Sequence, residues 1–304
     1  MEKLTVDGVN DVSLSVLKLP AEGKRIGVVH ILHGMAEHKE RYKDFMTYLA
    51  SNHFTVYAHD HRGHGHSLSK NQEVGILNKD DTFEHIVEDV HKVQAFIAKE
   101  EKTDEIITIG HSMGSLILRR FLQTSPKYVK TPIIMGTLPK YSKGFNIMML
   151  GIAGLTGLFI PSSIRHKLIA KMMNGGLAKT VKNKETAYDW LSVDQKNVKR
   201  YIKDPLSGYA YNKRFYTSFF KTIFITNFKQ NIEKTIDLPC LFISGYQDPL
   251  SKNMKAIEKL KLVYDKYTNN THQVKGIYGA RHEILNEKNN AYTYEYLLEY
   301  IKNN

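Results

Sequence analysis

Ile106-Ile107-Thr108-Ile109-Gly110-His111-Ser112-Met113-Gly114-Ser115-Leu116-Ile117 is the stretch that decides how this chain is read. A β-branched apolar run stops at G-x-S-x-G and continues as a Leu/Ile/Arg segment of helix-forming type. That pattern predicts a strand, a sharp turn and a helix, with Ser112 at the apex. In so tight a turn neighbouring backbone closes on the serine, so Gly110 and Gly114 occupy positions where a Cβ would clash. A serine alcohol is a weak nucleophile at neutral pH and needs a base within hydrogen-bond reach. The rest of the chain should therefore supply a histidine, an acid to orient it, and backbone N–H groups for an oxyanion.

Outward from the elbow, apolar strands alternate with helical periodicity. Residues 1–20 read as a hairpin turning at Asp7-Gly8, and Ile26–Leu32 as a buried strand ending at His33-Gly34. Residues 39–52 carry Tyr42, Phe45, Met46 and Leu49 at i, i+3, i+4, i+7, a helical face. Phe54–His59 is the next strand, and Asp81-Thr82 could cap a helix running to about Lys99. Beyond the elbow helix, Pro132–Gly136 reads as a strand. The alternation then stops for about 100 residues and resumes with Pro239–Ser244, a helix near 252–263, strand Gln273–Ile277 and a last helix near 288–302. Strands alternating with helices mean a mostly parallel sheet covered on both faces. The interruption means a subdomain seated over one edge. The expected boundaries are 1–136 and 236–304 for the core and 137–235 for the inserted cap.

The base and acid are sought on strand-end loops, where open α/β sheets place their sites. His282 sits in Gly279-Ala280-Arg281-His282-Glu283, between the last strand and the last helix; Asp248 sits in Gly245-Tyr246-Gln247-Asp248-Pro249, just past the preceding strand. His272 begins a strand, while Asp265 and Glu258 lie in or after a helix, so none of these shares the setting. An oxyanion needs two N–H donors aimed at where the charge develops. Met113, after the serine, is one candidate; Met35, in the loop His33-Gly34-Met35-Ala36-Glu37-His38, is the other. Gly34, Gly110, His111 and Gly114 support the elbow and this loop. The run His59-Asp60-His61-Arg62-Gly63-His64-Gly65-His66 invites a zinc reading. No cysteine lies near it and its glycines argue for a tight loop, so no metal is assigned.

Composition narrows the class. With 304 residues, 42% hydrophobic and 24% charged, the chain suits one large globular core. The single cysteine, Cys240, excludes an internal disulfide and fits a reducing compartment. Met1–Asp7 carries acids and no apolar run, so no secretory signal is expected and a cytoplasmic location is. The net charge of +12 is confined to residues 137–235, which hold 17 Lys and Arg against 5 Asp and Glu; the remainder holds 26 of each. No helix-turn-helix, zinc-finger or RRM pattern accompanies that patch, so nucleic acid is not the expected partner. An anionic membrane surface suits it better, beside the plainer reading of a solvated basic face.

Taken together, His33–His38, Asp60–Ser67, Gly110–Gly114, Asp248 and Gly279–Glu287 resemble the monoacylglycerol lipase/lysophospholipase branch of the α/β-hydrolase superfamily. The insertion does so as well: Trp190-Leu191-Ser192-Val193-Asp194 and Tyr201-Ile202-Lys203-Asp204-Pro205 look like that branch's cap segments. The chain order Ser…Asp…His is the α/β-hydrolase order. The resemblance implies an α/β-hydrolase fold, with a mostly parallel eight-stranded sheet and an inserted helical cap. It implies a Ser112, Asp248, His282 triad with Met35 and Met113 as oxyanion donors, working through an acyl-enzyme with no cofactor on a single-chain lipid ester. A short-chain or aryl carboxylesterase is the alternative, and a non-catalytic binding protein of this fold a more distant one. Val193 departs from the branch, where arginine is frequent. Proline-specific peptidases of the fold usually carry H-G-G-P-G where this chain has His33-Gly34-Met35-Ala36-Glu37.

Gly144–Ile164 contains no charged residue over 21 positions, close to the ~20 that span a bilayer. Four glycines and Pro161 interrupt it, and a span here would put Ser112 and His282 on opposite sides of a membrane. A cap helix with its apolar face over the site is the expectation, with Phe145, Met148, Leu158 and Ile160 as candidates to line an acyl-chain tunnel. Its basic flanks, Lys143, Arg165, Lys167 and Lys171, suit an anionic interface.

Overall fold

The computed structural model describes residues 1–69, 71–142, 144, 147–151, 161 and 164–304. Eight strands, β1 (Glu2–Asp7), β2 (Ser13–Leu19), β3 (Gly27–Leu32), β4 (Phe54–His59), β5 (Ile106–His111), β6 (Val129–Met135), β7 (Leu241–Gly245) and β8 (Gln273–Ile277), form one sheet in the order 1-2-4-3-5-6-7-8. The β1/β2 and β2/β4 pairs are antiparallel and every other pair is parallel. The mostly parallel sheet is the one expected from the alternating pattern, and the whole is the α/β-hydrolase architecture that the resemblance implies. β4 and β5 are buried along their whole length, as unbroken apolar runs in a two-sided parallel sheet must be.

Helices cover both faces. On one, α1 (Lys43–Ser51) and the final helix α9 (Ala291–Asn303) lay Phe45, Met46, Leu49, Leu297 and Ile301 against Val29, Ile31 and Ile109. On the other, α2 (Phe83–Glu101), α3 (Met113–Phe121) and α8 (Lys255–Tyr267) bury Phe83, Ile86, Leu116, Ile117, Leu260 and Tyr264. Between β6 and β7 the chain leaves the sheet. It forms α4 (Lys167–Ala178), α5 (Gln195–Lys203), α6 (Lys213–Thr226) and the single turn α7 (Lys229–Ile232). Helix α6 is seated on the core by an aromatic ladder in which Phe83 meets Phe215 and Phe219.

Local boundaries move for identifiable reasons. The hairpin turn occupies residues 8–12 and contains a 3-10 turn at Val9–Asp11, because Asp89 accepts the Val9 N–H and opens the tight turn expected at Asp7-Gly8. The helix foreseen over 39–52 starts as 3-10 turn Lys39–Tyr42, where the Lys39 N–H is taken by the Asp60 carboxylate. Thr82 caps α2 by accepting the His85 N–H, and α2 ends at Glu101 with Lys102 left-handed behind it. Lys252, Asn253 and Met254 all have positive φ, which holds the start of α8 back to Lys255.

The histidine-rich segment packs inside. His30, His33, His59, His61 and His64 are all 0% exposed. His30 and His59 share a hydrogen bond of 2.9 Å, His61 donates its main-chain N–H to His33 Nε2 at 3.0 Å, and the His33 and His61 rings lie 4.2 Å apart. Burial pushes all five imidazoles down, His30 to about 3 and His64 to about 4. Asp60, between them, is committed to Lys39 and to the His66 N–H. Among the described residues no group of three or more His, Cys, Asp or Glu is arranged to hold a metal ion.

Candidate active site

Ser112 sits between β5 and α3 with φ 53° and ψ −115°, a conformation that costs a non-glycine residue about 1–3 kcal/mol. Its neighbours enforce it. A Cβ on Gly114 would lie 2.1 Å from Leu32 O, and one on Gly110 would lie 2.4 Å from Gly114 O. Both obstacles are backbone, so neither can step aside. The Ser112 N–H donates to Met135 O at 2.9 Å, fixing the elbow to the end of β6.

Asp248 and His282 reach the same edge from the ends of β7 and β8. His282 Nδ1 bonds Asp248 Oδ2 at 2.9 Å, and both side chains are buried. Asp248 also accepts from Ser244 Oγ at 3.0 Å and from the Leu250 N–H at 2.8 Å. Burial alone would push the Asp248 carboxyl up; the His282 ring and these donors outweigh it and hold the carboxyl below its ordinary value. His282 Nε2 is buried with no hydrogen-bond partner among the described residues, and its ring lines the same cavity as Ser112. Trp190, from the cap, packs on the imidazole at 4.9 Å between centroids.

Met35 and Met113 line that cavity too, and among the described residues neither main-chain N–H has a hydrogen-bond partner. Met113 N–H is one of the orphan donors at the start of α3. Around Met35 the loop is held by Glu37, whose Oε1 accepts the Gly34 N–H at 2.6 Å and the Tyr42 hydroxyl at 2.8 Å. His111 Nδ1 meets the same Glu37 oxygen at 3.3 Å, and His111 Nε2 lies 3.2 Å from His282 O. Burial alone would raise the Glu37 carboxyl and lower the His111 imidazole. Their mutual attraction, with Arg41 beside Glu37, reverses both: Glu37 is held far below its usual range and His111 above its own.

A cavity of about 430 Å³ opens from Ser112 and His282 into the cap. Its walls beyond the reacting groups are mostly apolar and include Leu138, Met149, Met173, Phe219, Phe220 and Ile223. Of the four side chains expected to line an acyl tunnel, Phe145, Leu158 and Ile160 lie outside the described residues. Met148 is 51% exposed and absent from the cavity wall. Its neighbour Met149 takes the inward position, because residues 147–151 are helical and one step along a helix turns a side chain by about 100°.

With this geometry in view, comparison with known proteins is decisive at the family level. The sequence profile of the family described as serine aminopeptidase, S33, matches residues 23–289. The chain belongs to this family of serine hydrolases. Its likeness falls on the monoacylglycerol-lipase side of the α/β-hydrolases. It is 30% identical over 135 residues to a monoacylglycerol lipase of Mycolicibacterium smegmatis, covering 44% of this chain and 46% of that enzyme. The alignment therefore spans less than half of that relative. A monoglyceride lipase homolog of monkeypox virus is 25% identical over 260 residues, covering 86% of this chain and 83% of the viral protein. In structure, a thermostable carboxyl esterase from Bacillus coagulans superposes with a TM-score of 0.89 at 22% identity, over 99% of this chain and 98% of that one.

Other members of the site escaped the sequence. Arg41 bridges Glu37 at 2.9 Å and Glu283 at 2.5 Å, and Glu283 also accepts from Asn197 on α5 at 2.6 Å. Glu287 takes the Ser192 hydroxyl and the Val193 N–H, while Arg281 donates to the Asp189 and Ser192 carbonyls. These bonds tie the cap segment around Trp190 to the loop that carries His282. Their only sequence signal is the charge on both sides of His282, in Arg281 and Glu283.

Proposed function

We propose that this family member is a carboxylic ester hydrolase that cleaves single-chain lipid esters, such as monoacylglycerols or lysophospholipids, through an acyl-enzyme on Ser112. The observation that carries the reading is the apolar cavity running from Ser112 and His282 into the cap, walled by Leu138, Met149, Met173, Phe219, Phe220 and Ile223. An acyl chain is the ligand such a wall desolvates at least cost. The reaction then follows from the residues present. His282 Nε2 takes the Ser112 proton as Oγ attacks the ester carbonyl. Asp248 holds the imidazole in the tautomer that leaves Nε2 as acceptor, and stabilises the imidazolium. The carbonyl electron pair moves onto oxygen, where the Met35 and Met113 N–H groups meet it. The alcohol leaves with the proton from His282, and water, deprotonated by the same ring, releases the fatty acid.

Amide cleavage at a peptide N-terminus, which the family's description suggests, finds less support. The carboxylates in the cavity lining, Glu37 and Glu283, are both bound by Arg41 and are poorly placed to receive a substrate ammonium. The test is hydrolysis of 4-nitrophenyl esters from acetate to laurate beside 1-monooleoylglycerol and a lysophosphatidylcholine. Preference rising with chain length is expected; cleavage confined to acetate and butyrate would move the protein to the short-chain esterases.

The same reading places the cap on an anionic lipid surface. Leu168, 57% exposed, and Ile164, also exposed, alternate along the chain with Arg165, Lys167 and Lys171. Among the described residues no helix is long and apolar enough to cross a membrane, and most of Gly144–Ile164 lies outside them. Vesicle co-sedimentation tests this: binding to phosphatidylglycerol vesicles that fades above about 0.5 M salt is expected, since screening shortens to a few ångströms there. Equal, negligible binding to neutral and anionic vesicles would overturn it.

A further inference from the structure

Three cap groups converge on one residue of the core. Ala36, buried and with φ 52°, follows Met35 in the loop beside Ser112. Its N–H donates to the Tyr211 hydroxyl at 2.5 Å, and its carbonyl accepts from the Tyr201 hydroxyl at 3.0 Å and the Gly208 N–H at 2.9 Å. Tyr211 is in turn fixed from the core. Its hydroxyl lies 2.7 Å from His64 Nε2, and His64 Nδ1 lies 3.0 Å from Arg62 O. With the His64 proton on Nδ1, directed at that carbonyl, Nε2 accepts the Tyr211 proton. The tyrosine lone pair is thereby turned to Ala36. Burial, by keeping this imidazole neutral, maintains that polarity. The Tyr211 ring is stacked on Phe215 at 3.7 Å, so it has little freedom to turn away.

The loop is therefore held on both sides of Met35: Glu37 takes the N–H before it, and Tyr211 the N–H after it. We infer that Tyr211, through the His64–Tyr211–Ala36 hydrogen-bond chain, is a positioning residue that lets the cap set the direction of the Met35 N–H toward the developing oxyanion. The inference rests on the Ser112 mechanism proposed above and adds to it a role for the cap besides covering the substrate. It also gives His64, in the histidine-rich run, a function that needs no metal.

Replacing the hydroxyl leaves the Ala36 N–H buried and unpaired, and the peptide should turn to find another acceptor. A misdirected oxyanion donor costs rate and spares substrate affinity. For Tyr211→Phe, kcat should fall by about 10- to 100-fold, short of the loss of a whole donor, with KM within about twofold. Two inhibitors separate positioning from packing. An alkyl trifluoromethyl ketone is attacked by Ser112 Oγ, sends its carbonyl electron pair to oxygen and passes the serine proton to His282. Its Ki should rise by the same factor as kcat falls. Dodecanol, which fills the cavity without forming an oxyanion, should bind as to wild type. Unchanged kcat and ketone affinity would overturn the inference, and so would equal weakening of ketone and alcohol. Should Tyr211→Phe fail to fold, His64→Phe carries the same test by removing the acceptor that orients the hydroxyl, and the same split is expected. Ser112→Ala keeps the two readings apart. If it is inactive while Tyr211→Phe matches wild type, only the positioning role fails; if it retains activity, the mechanism itself fails.

Discussion

Lowering the pH from 7 to 5 charges the histidines of an unfolded chain, whose ordinary value is about 6.5, but not the five imidazoles buried together at His30, His33, His59, His61 and His64. Because their folded values are depressed, these groups bind almost no protons in the folded state in this range, while in the unfolded state they take up between about three and four. Their contribution to stability is intact above pH 6.5 and is lost as the pH falls toward the folded values. At pH 5.5 each group costs about 1.3 kcal/mol relative to pH 7, and at pH 5.0 about 1.9 kcal/mol, so the five together remove roughly 6 and then roughly 9 kcal/mol. That loss is of the same size as the about 5–15 kcal/mol by which a domain is stabilised. His111, held above its ordinary value by Glu37, works in the opposite direction but is a single group. The depressed carboxylates Asp248 and Glu37 keep their stabilising effect until the pH falls below about 4. Urea unfolding, followed by circular dichroism and by the fluorescence of the lone tryptophan, Trp190, should give a midpoint that drops steeply between pH 6.5 and 5.5. By pH 5 the protein should unfold at a small fraction of the urea it withstands at pH 7. Removing one of the five groups, as in His30→Leu, should flatten the dependence by about 1 kcal/mol per pH unit between pH 6.5 and 5. A urea midpoint that is the same at pH 7.0 and 5.5 would refute the reasoning.

Gly114→Ala drives a Cβ to 2.1 Å from Leu32 O and should abolish activity by deforming the elbow; a soluble variant of wild-type kcat would contradict that account. Asp248→Asn should lower kcat by about 10⁴-fold by favouring the wrong His282 tautomer while leaving the fold intact, read by steady-state kinetics beside a melting curve. Met173→Trp should fill the cavity beyond Ser112 and shift the preferred ester from laurate toward butyrate; an unchanged chain-length profile would mean that the acyl chain lies elsewhere.

What could be read in advance follows the range of the interactions. The elbow was legible because its steric logic is local: a strand, two glycines and a helix within twelve residues. Asp248 and His282 were legible because strand-end loops put them on one edge whatever the sheet's details. Periodicity placed the strands well and the helix starts less well, since Lys252–Met254 and Lys39–Tyr42 are shaped by contacts that no propensity encodes. The support around the site was not legible. Glu37 meets His111 across 74 positions, Ala36 meets Tyr211 across 175 and Arg41 meets Glu283 across 242. The inward methionine of the cap is Met149 in place of the expected Met148, because an uncharged stretch leaves the phase of its helix undetermined.

The central claim is that Ser112 is the nucleophile of a lipid-ester hydrolase, and the most direct measurement combines covalent labelling with turnover. Purified protein is treated with an alkyl fluorophosphonate, the modified peptide is mapped by mass spectrometry, and 1-monooleoylglycerol hydrolysis is followed before and after treatment. The account predicts one phosphonyl group per chain, located on Ser112, with activity lost in proportion to labelling and both absent in Ser112→Ala. Hydrolysis that survives complete labelling, or a label on another residue, would contradict it.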